Sequence, residues 1–174
     1  LSDVLVGTAM AFFVVLGVEW IAAAVGLALS ARLGVAPEII GMPSPARYAG
    51  WEAELARARP TLIALADHLD RLFNKHLLPI CAFSRCAVSL ASLPVLMRHR
   101  PDACVVWLDA HGDLNTPDTT LTGYLGGMAL AGPAGLWDSG LGHGLPGENI
   151  ILLGARDLDP AEQALLDAGK VALV

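Results

Sequence analysis

Cysteine is scarce in this 174-residue chain: Cys81, Cys86 and Cys104 are the three present, and no two form a Cys-x-x-Cys pair. An odd, sparse set excludes a disulfide scaffold and points to a reducing compartment, the cytoplasm. Aromatic residues make up 6% and charged residues 16%, while hydrophobic residues reach 55%. That balance excludes a disordered chain, and the Ala, Leu, Val and Gly that carry the apolar count suit an α/β domain better than an all-β one. Basic residues are few as well. Lys plus Arg total 11 against 17 Asp plus Glu, a formal charge of −6. No electrostatic footprint for a nucleic-acid backbone is present, so no nucleic-acid partner is expected. No Met opens the chain and no small-residue cleavage site follows a basic stretch, so a secretory signal is not expected.

One long apolar run is present. From Val4 to Leu29 only Glu19 is charged. A spanning helix needs about 20 apolar residues, so length alone allows a membrane segment. Glu19 near the middle and Gly7-Thr8 in the run argue instead for a buried strand near Leu5 and a core helix from about Glu19 to Arg32, ending at Gly34. The soluble reading is preferred and the membrane reading stays open.

Beyond Gly34 strands and helices alternate. Glu38 to Ile40 reads as a short strand, and Gly41-Met42-Pro43-Ser44-Pro45 as a loop. Trp51 to Lys75 reads as a helix with Leu55, Leu62, Leu65, Leu69 and Leu72 on one face, Pro60 marking a break or a new first turn. Leu77 to Ala82 is a strand, and Ala87 to Arg98 a helix kinked at Pro94. The apolar run Cys104 to Leu108 predicts a strand buried on both faces. Asn149 to Leu153, Pro160 to Ala168 and Val171 to Val174 complete a strand, helix, strand series. Alternation of this kind predicts crossover units and a mainly parallel sheet.

The chemistry-bearing stretch is Asp109-Ala110-His111-Gly112-Asp113-Leu114-Asn115, directly after the Cys104–Leu108 strand. Open α/β sheets bind ligands at the carboxyl ends of their strands. Asp109, His111 and Asp113 alternate, so an extended backbone would project all three to one side. Two carboxylates and an imidazole there make a divalent-metal half-site suited to Mn²⁺, Fe²⁺ or Zn²⁺. A polar loop with a hydrogen-bonded His is the other reading of the same residues.

The stretch Asp109 to Pro117 (Asp-Ala-His-Gly-Asp-Leu-Asn-Thr-Pro) resembles the second metal motif of the ureohydrolases, the arginase–agmatinase family. Thr122-Gly123-Tyr124-Leu125-Gly126-Gly127-Met128 is similar to that family's Ser-Gly-Asn-x-His-Gly-Met segment. Gly154 to Glu162 resembles its Gly-x-Arg-Asp-x-Asp-Pro-x-Glu turn. The resemblance runs from about Leu77 to Val174. It implies a three-layer α/β/α fold with a mainly parallel sheet, of which residues 1–174 form one partial domain. It also implies a manganese centre of one or two ions, a small guanidino or formimino substrate hydrolysed at a C–N bond, and a homo-oligomer. Carried over by position, Asp109 would bridge the metals and, with His111, take part in catalysis. His111 and Asp113 would each bind an ion, while Asn115, Thr122 and Asp159 would contact the substrate's tail. Asp159 and Glu162 also fit ordinary helix capping.

The pattern is broken in three places. The family's Gly-Gly-Asp-His is replaced by Phe83-Ser84-Arg85-Cys86, so Cys86 holds the position of a metal-binding His, or is a small buried residue at a helix start. Arg85 brings a fixed positive charge beside it. Gly126 stands where the family has a proton-transferring His, and His143, the other downstream His, lies in a loop-like context and is expected to face solvent. The later Asp-x-Asp motif falls outside the 174 residues, so at most a partial centre is expected. A metal-dependent amidine hydrolase and a non-catalytic relative that binds a small cationic ligand or a partner subunit are the two functional expectations.

Overall fold

The computed structural model describes residues 12–15, 19–41 and 49–174. Strand β1 (Phe12–Val15) lies parallel to β2 (Ile80–Phe83), with Phe12 opposite Ile80 and Val15 opposite Phe83. Between them in sequence come α1 (Glu19–Leu33) and α2 (Trp51–Asn74). Helix α1 packs on β2, and Gly26 brings its backbone close to Ala82. Gly34, at φ 66°, ends α1 in the left-handed turn expected of a glycine there. Among the described residues no helix is long and apolar enough to cross a membrane. The strand expected near Leu5 and the loop residues Met42 to Pro45 lie outside the described residues.

Helix α2 is continuous through Pro60, where a break or fresh start was expected. A proline in a helix interior costs about 3 kcal/mol and orphans the carbonyl four residues back. That carbonyl belongs to Ala56, on the exposed side of α2, where water can satisfy it. Leu55, Leu62, Leu65, Leu69 and Phe73 are buried on the opposite side. At roughly 1.5–3 kcal/mol for each buried side chain, these anchors outweigh the proline. The final anchor is Phe73 in place of the expected Leu72, which is half-buried.

After β2 a 3-10 turn (Cys86–Val88) leads into α3 (Ser89–His99), which packs along α2 and stays unbroken at Pro94. Strands β3 (Val105–Leu108), β4 (Ile150–Leu153) and β5 (Ala172–Leu173) form a second parallel sheet in that order, with α4 (Pro160–Asp167) between the last two. One core joins Leu69, Phe73, Phe83, Leu93, Val95, Val105, Leu130, Ile150 and Leu152. A second joins α2 to the 3-10 turn Leu125–Met128 through Leu55, Leu62, Leu90 and Met128.

Two expectations fail here. Glu38 to Ile40 form no strand, and Ile39 is among the most exposed apolar residues. Strand β3 is not buried on both faces: Val105 faces the core, whereas Val106 is exposed and Leu108 is 73% exposed. Successive strand side chains point to opposite faces, and the packed core occupies one face only.

Candidate metal centre

Strands β2 and β3 belong to separate sheets, and residues just beyond the end of each converge. Cys86 opens the turn after β2, and Asp109 follows β3 directly. Cys86 Sγ lies 3.8 Å from Asp109 Oδ2. Asp113 closes the group: one ligand atom from each of Cys86, Asp109 and Asp113 lies within 4.8 Å of the others.

Asp113 does not reach this position by extended alternation. Its φ is 52°, a left-handed conformation that aspartate tolerates better than most residues. The cause lies one residue on. Leu114 is fully buried, and sinking it draws Asp113 and Asn115 below the surface with it. The loop is then clamped from two sides. Leu130 N–H donates to the Asp113 carbonyl at 2.9 Å and Asn115 N–H to the Gly127 carbonyl at 3.0 Å. On the other side Leu114 N–H donates to Glu162 Oε1 at 2.9 Å. A Cβ at Gly112 would stand 2.9 Å from Glu162 Oε1 and 3.1 Å from Leu158 Cδ2, so a larger residue there would push on the Glu162 clamp.

Asp113 is 5% exposed, and its Oδ2 is buried with no hydrogen-bond partner. Burial, and next the charge of Asp109, push its carboxyl up to about 7. Burial, followed by the charges of Asp113 and Asp109, raises the Cys86 thiol as well. A buried orphan oxygen normally costs about 1–3 kcal/mol, and more when charged. Two carboxylates and a thiol converging without a cation are therefore mutually unfavourable, and a divalent cation would relieve all three at once. On donor chemistry the residues fit such an ion.

The other expected site residues are placed differently. His111 is outside the group of three: its side chain is 60% exposed, with Nδ1 3.1 Å from Asp109 Oδ1 and Nε2 3.8 Å from Asp157 Oδ2. Asn115 is buried and fully engaged, donating from Nδ2 to Asp159 Oδ2 at 2.7 Å and accepting from Thr119 Oγ1 at 3.0 Å. Asp159 caps α4 in a box with Glu162, whose Oε2 accepts from Asp159 N–H at 3.0 Å. Thr122 is exposed, and its Oγ1 accepts from Tyr124 N–H at 3.3 Å. His143 is exposed, as expected.

Two residues gain a part that the motifs did not assign. Glu162 is 3% exposed and ties the Asp109–Asn115 loop to α4, a contact between positions 48 apart that no local pattern could show. Tyr124 lays its ring over Gly126, where a Cβ would stand 2.3 Å from the ring's Cε1 and 2.8 Å from its hydroxyl. The space of the missing side chain at 126 is thus filled by a phenol, whose titration burial raises. A glycine two residues after an aromatic was the signal available in the sequence.

Acidic and thiol side chains gathered just beyond strand ends are where α/β folds place their ligand sites. The pattern of the arginase family matches residues 58–174, and the chain belongs to that family. It is 43% identical over 153 residues to the N(omega)-hydroxy-L-arginine amidinohydrolase of Streptomyces lavendulae, a match covering 88% of this chain and 56% of that protein. It is 30% identical over 105 residues to the arginase of Bacillus subtilis, covering 57% of this chain and 36% of the relative. The crystal structure of a Bacillus subtilis arginase superposes with a TM-score of 0.73 at 22% identity, covering 94% of this chain and 63% of that one. The fold is therefore the arginase α/β/α fold in part, and the 174 residues span less than two thirds of the length of these relatives.

Proposed function

We propose that this chain belongs to a metal-dependent hydrolase of linear amidines, cleaving a guanidino or formimino C–N bond of a small amino-acid-like substrate. The observation that carries the reading is the orphaned, buried Asp113 Oδ2 facing Asp109 and Cys86 at the strand ends. Asp109, Asp113 and Cys86 would hold the ion. A divalent ion, when bound, supplies Lewis acidity that makes water nucleophilic at neutral pH. The resemblance implies manganese.

The chain's own groups then divide the remaining work. Asp109 shares one oxygen with His111 and turns the other toward Cys86, so it couples the ion to an exposed imidazole. His111, open to solvent, is placed to carry a proton between the cluster and bulk water. Asp159 and Thr122 offer polar contacts to the substrate's tail, and Asn115 acts through Asp159, which it holds by a hydrogen bond. Relatedness to the amidinohydrolase favours an N-hydroxyguanidine such as N(omega)-hydroxy-L-arginine over other guanidines. A reducing, cytoplasmic setting and a homo-oligomeric state complete the proposal.

The test is hydrolysis by the full-length protein, with divalent ions added, of N(omega)-hydroxy-L-arginine, arginine, agmatine and formiminoglutamate. Ornithine and hydroxyurea from the first substrate, lost in Asp109→Ala, are expected. Release of no urea, hydroxyurea, ammonia or formamide from any of them would refute catalysis and leave a ligand-binding relative of the fold.

A further inference from the structure

A cavity of about 270 Å³ opens where β4 and β5 begin, between the loop around Leu136 and the last turn of α4. Leu114, Leu136, Leu165 and Val171 build its apolar wall. Leu114 and Val171 are buried, whereas Leu136 is 43% exposed and leaves an apolar edge at the mouth. Glu148 and Lys170, both exposed, line the same cavity. Their backbones are held by the protein itself. Lys170 N–H donates to the Leu165 carbonyl at 3.0 Å, closing the turn after α4. Glu148 lies in a 3-10 turn (Gly147–Asn149) pinned by Asn149, whose Nδ2 donates to the Ala103 carbonyl at 3.0 Å. Gly147 lets the two segments meet, since a Cβ there would stand 2.5 Å from the Lys170 carbonyl oxygen. Acid and base are thus brought to one rim. Among the described residues, no ion pair or side-chain hydrogen bond engages either of them.

We infer that this cavity binds an apolar α-amino acid as its zwitterion, with the ammonium on Glu148, the carboxylate on Lys170 and the aliphatic side chain against the leucines and Val171. Small-molecule sites combine an apolar lining with a few placed polar groups and run from about 300 to 1,000 Å³. This cavity, just below that range, has room for a ligand of amino-acid size and too little to enclose a nucleotide. Charge narrows the class further. An aliphatic acid would set its carboxylate beside Glu148, and an aliphatic amine would set its ammonium beside Lys170; a zwitterion meets an opposite charge at both. The charged groups stay at the solvated mouth, so neither contact requires burying an ion. The inference does not depend on a metal ion or on the amidine-hydrolase reading.

Calorimetric titration of the full-length protein with L-leucine, isocaproate and isoamylamine tests this, because the two analogues keep the leucine skeleton and lose one charge each. Leucine should bind about tenfold or more tightly than either analogue, the factor that one hydrogen bond to a charged group contributes. In Lys170→Gln the advantage over isoamylamine should vanish, and in Glu148→Gln the advantage over isocaproate. Both positions are exposed, so neither exchange threatens the fold. Ala134→Phe, which fills the cavity, should abolish leucine binding, and the two rim variants decide the matter if that variant does not fold. No leucine binding at millimolar concentration would overturn the inference. Leucine binding that neither rim exchange alters would overturn it as well, by placing the amino acid at another site.

Discussion

Asp113→Asn separates the cost of the buried carboxylate from its use. In the fold the Asp113 carboxyl is raised from 3.8 to about 7. Below about pH 4 the group is protonated in folded and unfolded chains alike, so it adds no penalty. As pH rises through the folded value, the unfolded chain has already ionised while the folded one must ionise in a buried site. The stability present at low pH is therefore lost between about pH 4 and pH 7. A shift of about three units at 1.36 kcal/mol each sets the loss at up to about 4 kcal/mol. Asparagine never ionises, and its amide can donate to the neighbouring Asp109 or Cys86. Metal-free Asp113→Asn should thus be more stable than the metal-free parent at about pH 8, by up to about 10 °C in melting temperature for a chain of this size. At about pH 4.5 the two should nearly coincide. Thermal unfolding followed by circular dichroism across this range, after chelation, is the measurement. With a saturating divalent ion the order should reverse, because only the parent has the ligand to gain from binding. Parallel pH profiles for the two metal-free proteins would refute the argument.

Three further outcomes are expected. Glu162→Ala leaves the N–H groups of Leu114 and Asp159 without partners, which should cost about 2–4 kcal/mol in denaturant unfolding and weaken divalent-ion binding through the loosened Asp113 loop; unchanged affinity would show that α4 does not position the ligand. Gly126→Ala forces the Tyr124 ring aside at a cost of about 1–3 kcal/mol, and adding Tyr124→Ala should recover most of it; strictly additive losses in that double-mutant cycle would contradict the packing of the two residues. The 174-residue chain presents Val106, Leu108 and Leu153 on one exposed sheet face, so it should self-associate at micromolar concentration, with Leu108→Lys reducing the effect; a clean monomer by light scattering would count against this surface as a driver of association.

Local patterns were enough wherever the governing interaction is itself local. The leucine spacing of α2 marks its buried face because helical side chains three or four apart share one side. The apolar runs of β3 and β4 identify strands, and Asp159-Pro160 with Glu162 spells the start of α4, because capping is completed within one turn. Asp109 and Asp113 are likewise picked out as candidate residues by their place after a strand. What the linear pattern misjudged depends on contacts between distant positions. Pro60 looks like a break until the anchors on both sides of it share one core, and β3 looks doubly buried until only one of its faces meets packing.

The composition of the centre was decided in the same way. Spacing placed His111 between two aspartates as an equal ligand, on the assumption of an extended backbone. Burial of Leu114 and the clamps from Gly127 and Glu162 turn Asp113 into the left-handed region instead, and the alternation is lost. Cys86 is 23 residues from Asp109, and only the folding together of the segments that follow β2 and β3 brings its sulfur to the carboxylates. The sequence by itself determined most of the elements, the family and the place of the two acids after β3. Tertiary structure decided that the Cys86 sulfur lies beside those acids while the His111 ring faces water, because side chains distant in sequence meet only in the folded chain.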